Sequence, residues 1–120
     1  MRLFKNTWFT RYAKREGITD AELREAVNQL ETGQADADLG GDVYKVRIAR
    51  SGKGKAGGYR VIVFFRSEER TFFAYGFAKS DRDNINEKQL RNLKLAAKTI
   101  LKYSDKEIDE RVKNGLLIEF

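Results

Sequence analysis

Apolar residues return along this chain with two periods, and the period switches twice. Near the start they recur at helical spacing: Trp8, Phe9, Tyr12 and Ala13 fall on one face, and Gly17 closes the segment. Thr19 stands three residues before Glu22, the spacing of a capping box, and Leu23, Ala26, Val27 and Leu30 continue an apolar stripe down to Gly33. The pattern predicts helices near residues 6–15 and 19–32, followed by a polar loop, GQADADLGGD. From Val43 the period is two. In DVYKVRIAR, Tyr44, Val46 and Ile48 point one way while Lys45, Arg47 and Ala49 point the other. In GYRVIVFFR, Tyr59, Val61, Val63 and Phe65 alternate with Arg60, Ile62, Phe64 and Arg66. TFFAYGFAK is aromatic and β-prone, with Phe73, Tyr75, Phe77 and Lys79 in phase, and Glu68 and Glu69 make the tight turn before it. Three consecutive strands with short connections form an antiparallel meander.

After Asn84 the helical period returns. Asn84 or Asn86 can cap a helix whose buried stripe is Leu90, Leu93, Ala97, Ile100 and Leu101. Ser104 and Glu107 form a second capping box, opening a short helix that ends at Asn114-Gly115, and LLIEF closes the chain as an edge strand. The expectation is an α+β fold: a small antiparallel sheet, a meander of about three to four strands, packed by N-terminal helices and a C-terminal helix. The length of 120 residues, without repeats or a linker, predicts a single domain over 1–120.

Composition narrows the chemistry. The chain has no cysteine and no histidine, which removes disulfides, thiolate metal sites, thiol nucleophiles and imidazole acid–base catalysis. No apolar run reaches the roughly 18 residues of a membrane span, and MRLFKNTWFT carries a charge inside its apolar patch, unlike a signal peptide. The expected setting is cytoplasmic. The aspartates of the 33–42 loop do not make a calcium site. Counting from Asp36, the twelfth position is Arg47, where an EF-hand needs a bidentate glutamate, so the segment reads as a solvated acidic loop. The net charge is +6, and residues 43–82 hold ten cations against three acids. A basic field concentrated in this way is the footprint of a polyanion binder.

Alternation puts Lys45 and Arg47 on one face of the first meander strand. Arg60 opens the second strand and Lys79 ends the third, so a modest register gathers all four on one patch. A single outward cation on a strand is ordinary surface; four together, with no acid at the outward positions of the first strand, point to a site for phosphate. A two-histidine ribonuclease is impossible here. The strands also lack the clustered carboxylates of a metal-dependent nuclease. Electrostatic catalysis remains: cations that orient a phosphodiester and stabilise the charge developing on it. SGKGKAGG does not satisfy the nucleotide P-loop pattern and reads as a loop between strands, with Arg50, Lys53, Lys55 and Arg82 available to hold a nucleic-acid backbone.

YKVRIARSGKGKAGGYRVIVFF, then FFAYGFAKSDRDNI, and the ending YSDKEIDERVKNGLLIE resemble the RelE-like toxins of bacterial type II toxin–antitoxin modules, close to the HigB-type branch. The resemblance is strong over 43–86 and looser over the helices. It implies a ribosome-dependent mRNA endonuclease, or mRNA interferase, that promotes attack of a ribose 2′-OH on the adjacent phosphate without metal or cofactor. Its partners would be the ribosome, mRNA and a cognate antitoxin. On the matching positions, Lys45, Arg47, Arg60 and Lys79 would be the catalytic set. The tyrosine that serves RelE near its C-terminus has no counterpart; Asn84, Ile85 and Asn86 stand near that place, leaving the acid and base unassigned. Tyr59 and Tyr75 are expected in the core rather than stacked on a base. The alternatives are a ParE-like gyrase inhibitor and a non-catalytic RNA- or ribosome-binding protein.

Overall fold

The computed structural model describes residues 1–50, 54–78 and 85–120, with the backbone alone for Arg50 and residues 54–57. The chain runs β1 (Arg2–Asn6), α1 (Thr7–Glu16), α2 (Asp20–Glu31), β2 (Ala37–Gly40), β3 (Val43–Arg50), β4 (Gly54–Arg66), β5 (Arg70–Ala78), α3 (Glu87–Ile100), α4 (Asp105–Lys113) and β6 (Leu117–Glu119). The described strands make one sheet in the order β2-β3-β4-β5-β1-β6. All neighbours are antiparallel except β1 and β5. The α+β class and the β3-β4-β5 meander are as the periodicity predicts, but the sheet has six strands.

The additional strands are those with the weakest sequence signal. In β1, Leu3 packs toward one face and Phe4 toward the other, so a strand of five residues is buried on both sides. That is the environment of a parallel strand, and it erases the alternation that would reveal it. Phe4 lies opposite Phe72 in the register and stacks on it at 5.0 Å. β2 arises inside the segment read as a loop. It is a four-residue edge whose pairing with β3 is irregular between Asp38 and Gly40. The glycine-rich run is also less of a loop than expected, since β4 already begins at Gly54 and pairs with Arg50 there.

Both faces of the sheet are covered. Phe9, Tyr12, Leu23, Ala26, Val27 and Leu30 of α1 and α2 pack with Val46, Ile48, Tyr59, Val61, Val63 and Phe73. On the other face Ala97, Leu101 and Ile108 of the α3–α4 segment pack with Phe4, Val43, Ile62, Phe64 and Phe72. Local signals set the helix ends. Asn6 accepts from the Phe9 amide at 2.7 Å and donates to the Ala74 carbonyl, so one side chain caps α1 and fastens it to β5. Capping boxes at Thr19–Glu22, Asn86–Gln89 and Ser104–Glu107 open the other three helices, each cap contributing about 1 kcal/mol. Gly76 has a packing role: a Cβ there would lie 2.7 Å from the Tyr12 ring, so only glycine lets α1 sit this close to β5. Trp8 departs from the helical-face expectation. It is 42% exposed, stacked on Tyr12 and tilted against Tyr75 beyond the end of β1.

Candidate phosphate site

The register of β3 and β4 decides where the basic residues go. Arg47 stands directly opposite Arg60, and Lys45 directly opposite Ile62, so Lys45, Arg47 and Arg60 share the face that carries α3. This is the gathering that alternation predicts for these three. Their exposure differs: the Arg60 side chain is 8% exposed, Lys45 22% and Arg47 48%. Arg60 is therefore held from the interior, where its Nη1 donates to the Tyr59 carbonyl at 3.4 Å, while Arg47 reaches into solvent. Like charges directly opposite on neighbouring strands repel. This pair needs a counter-charge.

Asp36 supplies it. The residue sits at a bend one position before β2, its side chain 11% exposed, and it faces all three cations. Its Oδ1 accepts from Arg47 Nε at 2.6 Å; its Oδ2 lies 3.5 Å from Lys45 Nζ and 3.6 Å from Arg60 Nε. Burial works against ionisation of this carboxyl. The Arg47 hydrogen bond and the charges of Arg47, Lys45 and Arg60 outweigh burial and hold the carboxyl below the ordinary aspartate range. The reading of 33–42 as a solvated acidic loop is thus corrected at Asp36, which is a partner of the basic residues rather than a surface acid. No spacing in the sequence signals it, because the contact crosses from the loop to two different strands.

The backbone beneath the site is fixed from the opposite face. β2 pairs with β3 only as far as Lys45, opposite Ala37, so the outer edge of β3 at Arg47 has no strand neighbour among the described residues. Buried Gln29 of α2 covers it, donating from Nε2 to the Arg47 carbonyl at 3.1 Å. Tyr59 is a core residue, as expected: it is 5% exposed, edge-on to Tyr12, with its hydroxyl donating to the Glu16 carbonyl. Tyr75 is half-buried and borders a cavity of about 210 Å³ with Ile85, Gln89, Asn92 and Leu93.

The remaining predicted residues are not located by the structure. Lys53, Lys79 and Arg82 lie outside the described residues, and the side chains of Arg50 and Lys55 lie outside them too. A basic surface that the charge count over 43–82 does not include lies along α3. Arg91, Lys94, Lys98 and Lys102 line a groove with Arg66, Gly41 and Asp42, and among the described residues only Arg66 of these cations is paired, to Asp42 at 3.0 Å. Lys94 crosses the turn at Gly40 and Gly41, both at positive φ, where an added Cβ would meet its side chain at 3.3–3.4 Å. The helical spacing of 91, 94, 98 and 102 is the sequence signal for this stripe.

A three-cation patch around one carboxylate can bind a phosphodiester and stabilise added negative charge on it. Among the described residues no group of histidines, cysteines or carboxylates could hold a metal ion, and no helix is long and apolar enough to cross a membrane. Against family models, residues 1–120 match the RelE toxin of the RelE/RelB toxin–antitoxin system. The chain belongs to that family. It is the toxin of a type II toxin–antitoxin module, and an antitoxin is its partner there.

Proposed function

We propose that this RelE-family toxin, of HigB type on the strand residues quoted above, is a ribosome-dependent mRNA endonuclease. The observation that carries the reading is the convergence of Lys45, Arg47 and Arg60 around a single carboxylate on two adjacent strands. In the reaction the ribose 2′-oxygen attacks the adjacent phosphorus, the bond from phosphorus to the 5′-oxygen breaks, and the 2′-OH proton leaves while the 5′-oxygen gains one. Negative charge accumulates on the non-bridging phosphate oxygens as the new bond forms. Arg60, anchored from below, and Arg47, open to solvent, would contact those oxygens; Lys45 adds a compact charge beside them. Lys79 is proposed as the fourth member of the set, from its position directly after β5. Arg50, Lys53, Lys55 and Arg82 would hold the flanking backbone, where each phosphate contact adds affinity that falls with salt. No metal or organic cofactor takes part, and action in the cytoplasm on translating ribosomes follows.

The test is induction in cells with mapping of 5′ ends on a translated message. Cuts in phase with codons, bearing 5′-hydroxyl ends and absent when translation is blocked, are the expected result. Intact message with early arrest of DNA replication would instead support gyrase inhibition. Intact message with ribosome association would support a non-catalytic binder.

A further inference from the structure

Asp36 is the acid that faces Lys45, Arg47 and Arg60 together, and its geometry is selective. It takes the Nε of Arg47, the inner edge of that guanidinium. The two Nη nitrogens of Arg47 have no hydrogen-bond partner among the described residues, and the side chain is 48% exposed. The carboxylate thus fixes the direction of Arg47 while the forked outer donors face solvent. It also sits between Arg47 and Arg60, which oppose each other across β3 and β4, and so relieves the repulsion that would drive them apart.

Asp36 neutralises one of the three cations it faces. A phosphodiester carries one negative charge, and the attacked phosphorane approaches two, so cations held at fixed positions gain more with the transition state than with the ground state.

We propose that Asp36 is a positioning residue of the phosphate site: it holds Arg47 and Arg60 in register for the non-bridging oxygens and neutralises one unit of the positive charge around it. This rests on the reading of the patch as a phosphodiester site. Asp36 contacts the cations and not the reacting atoms, so it acts through them.

The experiment compares wild type, Asp36→Asn and Asp36→Glu in two assays. The first is binding of a single-stranded RNA oligonucleotide across a salt series; the second is cleavage of a translated message. Asp36→Asn frees a cation that the carboxylate had neutralised. It should bind RNA more tightly at low salt, with a slope of log K against log salt steeper by about 0.7. Its cleavage should show a lower KM together with a kcat at least about 10-fold below wild type. Asp36→Glu keeps the charge and should restore the slope and most of kcat. Equal slopes for wild type and Asp36→Asn would overturn the role given to Asp36 even if the message is cut. Wild type that binds RNA but leaves the message intact would overturn the endonuclease reading while a steeper Asp36→Asn slope still supports this role. An absence of salt-dependent binding in all three proteins would overturn both. A variant that loses only thermal stability, with slope and kcat unchanged, would reduce Asp36 to a structural ion pair.

Discussion

Two clusters of basic and acidic side chains lie on this sheet, and among the described residues they differ in which sign is in excess. Around Asp36 stand Lys45, Arg47 and Arg60, three cations for one carboxylate. Around Arg2 and Arg70 stand Asp105, Asp109 and Glu119, two cations for three carboxylates. Both join segments far apart in the chain, and both contain short hydrogen bonds. The second is the more densely bonded. Arg2 donates to Glu119 from Nε and Nη2 at 2.9 and 3.0 Å and to Asp109 at 2.7 Å; Arg70 donates to Asp105 at 2.7 Å and also to the Tyr103 carbonyl. Its hydrogen bonds to Glu119 and Asp109 push the Arg2 guanidinium further above its ordinary value, and the same Arg2 hydrogen bond holds Glu119 below its own. With carboxylates in excess it has little to offer a phosphate; it fastens β1 and β5 to α4 and β6. The number of ion pairs does not distinguish a staple from a site. The sign of the charge in excess among the described residues does.

The strongest way to break the comparison is to empty the first cluster. Replacing Lys45, Arg47 and Arg60 together by alanine should lower cleavage of a translated message by at least about 100-fold, the scale of losing even one donor to a developing oxyanion. Circular dichroism should show the fold retained, since the core on both faces is untouched. Residual cleavage within a few-fold of wild type would remove the catalytic role of the patch.

The same operation on the second cluster should act on stability instead. Arg2→Ala leaves Asp109 and Glu119 facing each other without their shared cation. The side chain is 32% exposed, so the expected loss is that of a screened pair network, about 1 kcal/mol. A thermal midpoint lower by about 4 °C, with cleavage at 25 °C unchanged, is the outcome to check. A loss of cleavage without a change in midpoint would erase the distinction between the clusters.

The smallest effect is in acid, where the two clusters should behave alike. Asp36 and Glu119 both titrate below their ordinary values in the folded chain. A depressed carboxyl contributes stability that is present above its unfolded pKa, about 3.9 for aspartate and 4.3 for glutamate, and that is lost as pH falls through the folded value. Unfolding free energies measured from pH 6 downwards should therefore fall less steeply below about pH 4 for Asp36→Asn and for Glu119→Gln than for wild type. Only Asp36→Asn should also alter RNA binding, and that separates the clusters again.

The legibility of the molecule follows from the range of the forces involved. Helix ends were written locally: Thr19 with Glu22, and Ser104 with Glu107, cap where the sequence spacing puts them. The meander was legible because one period-two pattern repeats over three strands and the turn at Glu68 demands a sharp reversal, with Glu68 at φ 63°. β1 was not legible, since burial on both faces removes alternation from RLFKN. Nor was β2, since ADLG becomes a strand only by lying along β3.

For the site, alternation by itself determined that Lys45 and Arg47 share a face; the expectation that Arg60 opens the next strand is corrected, since β4 begins at Gly54 and puts Arg60 in its middle. Sequence also determined what the chemistry could not be, through the absence of histidine and cysteine. Only the tertiary structure decided the register that sets Arg47 against Arg60, the burial that makes Arg60 an interior anchor, and the arrival of Asp36 between them. Register and burial are set by side chains from strands and helices far apart in sequence. A carboxylate that meets three cations from two strands therefore leaves no periodic trace in the chain that carries it.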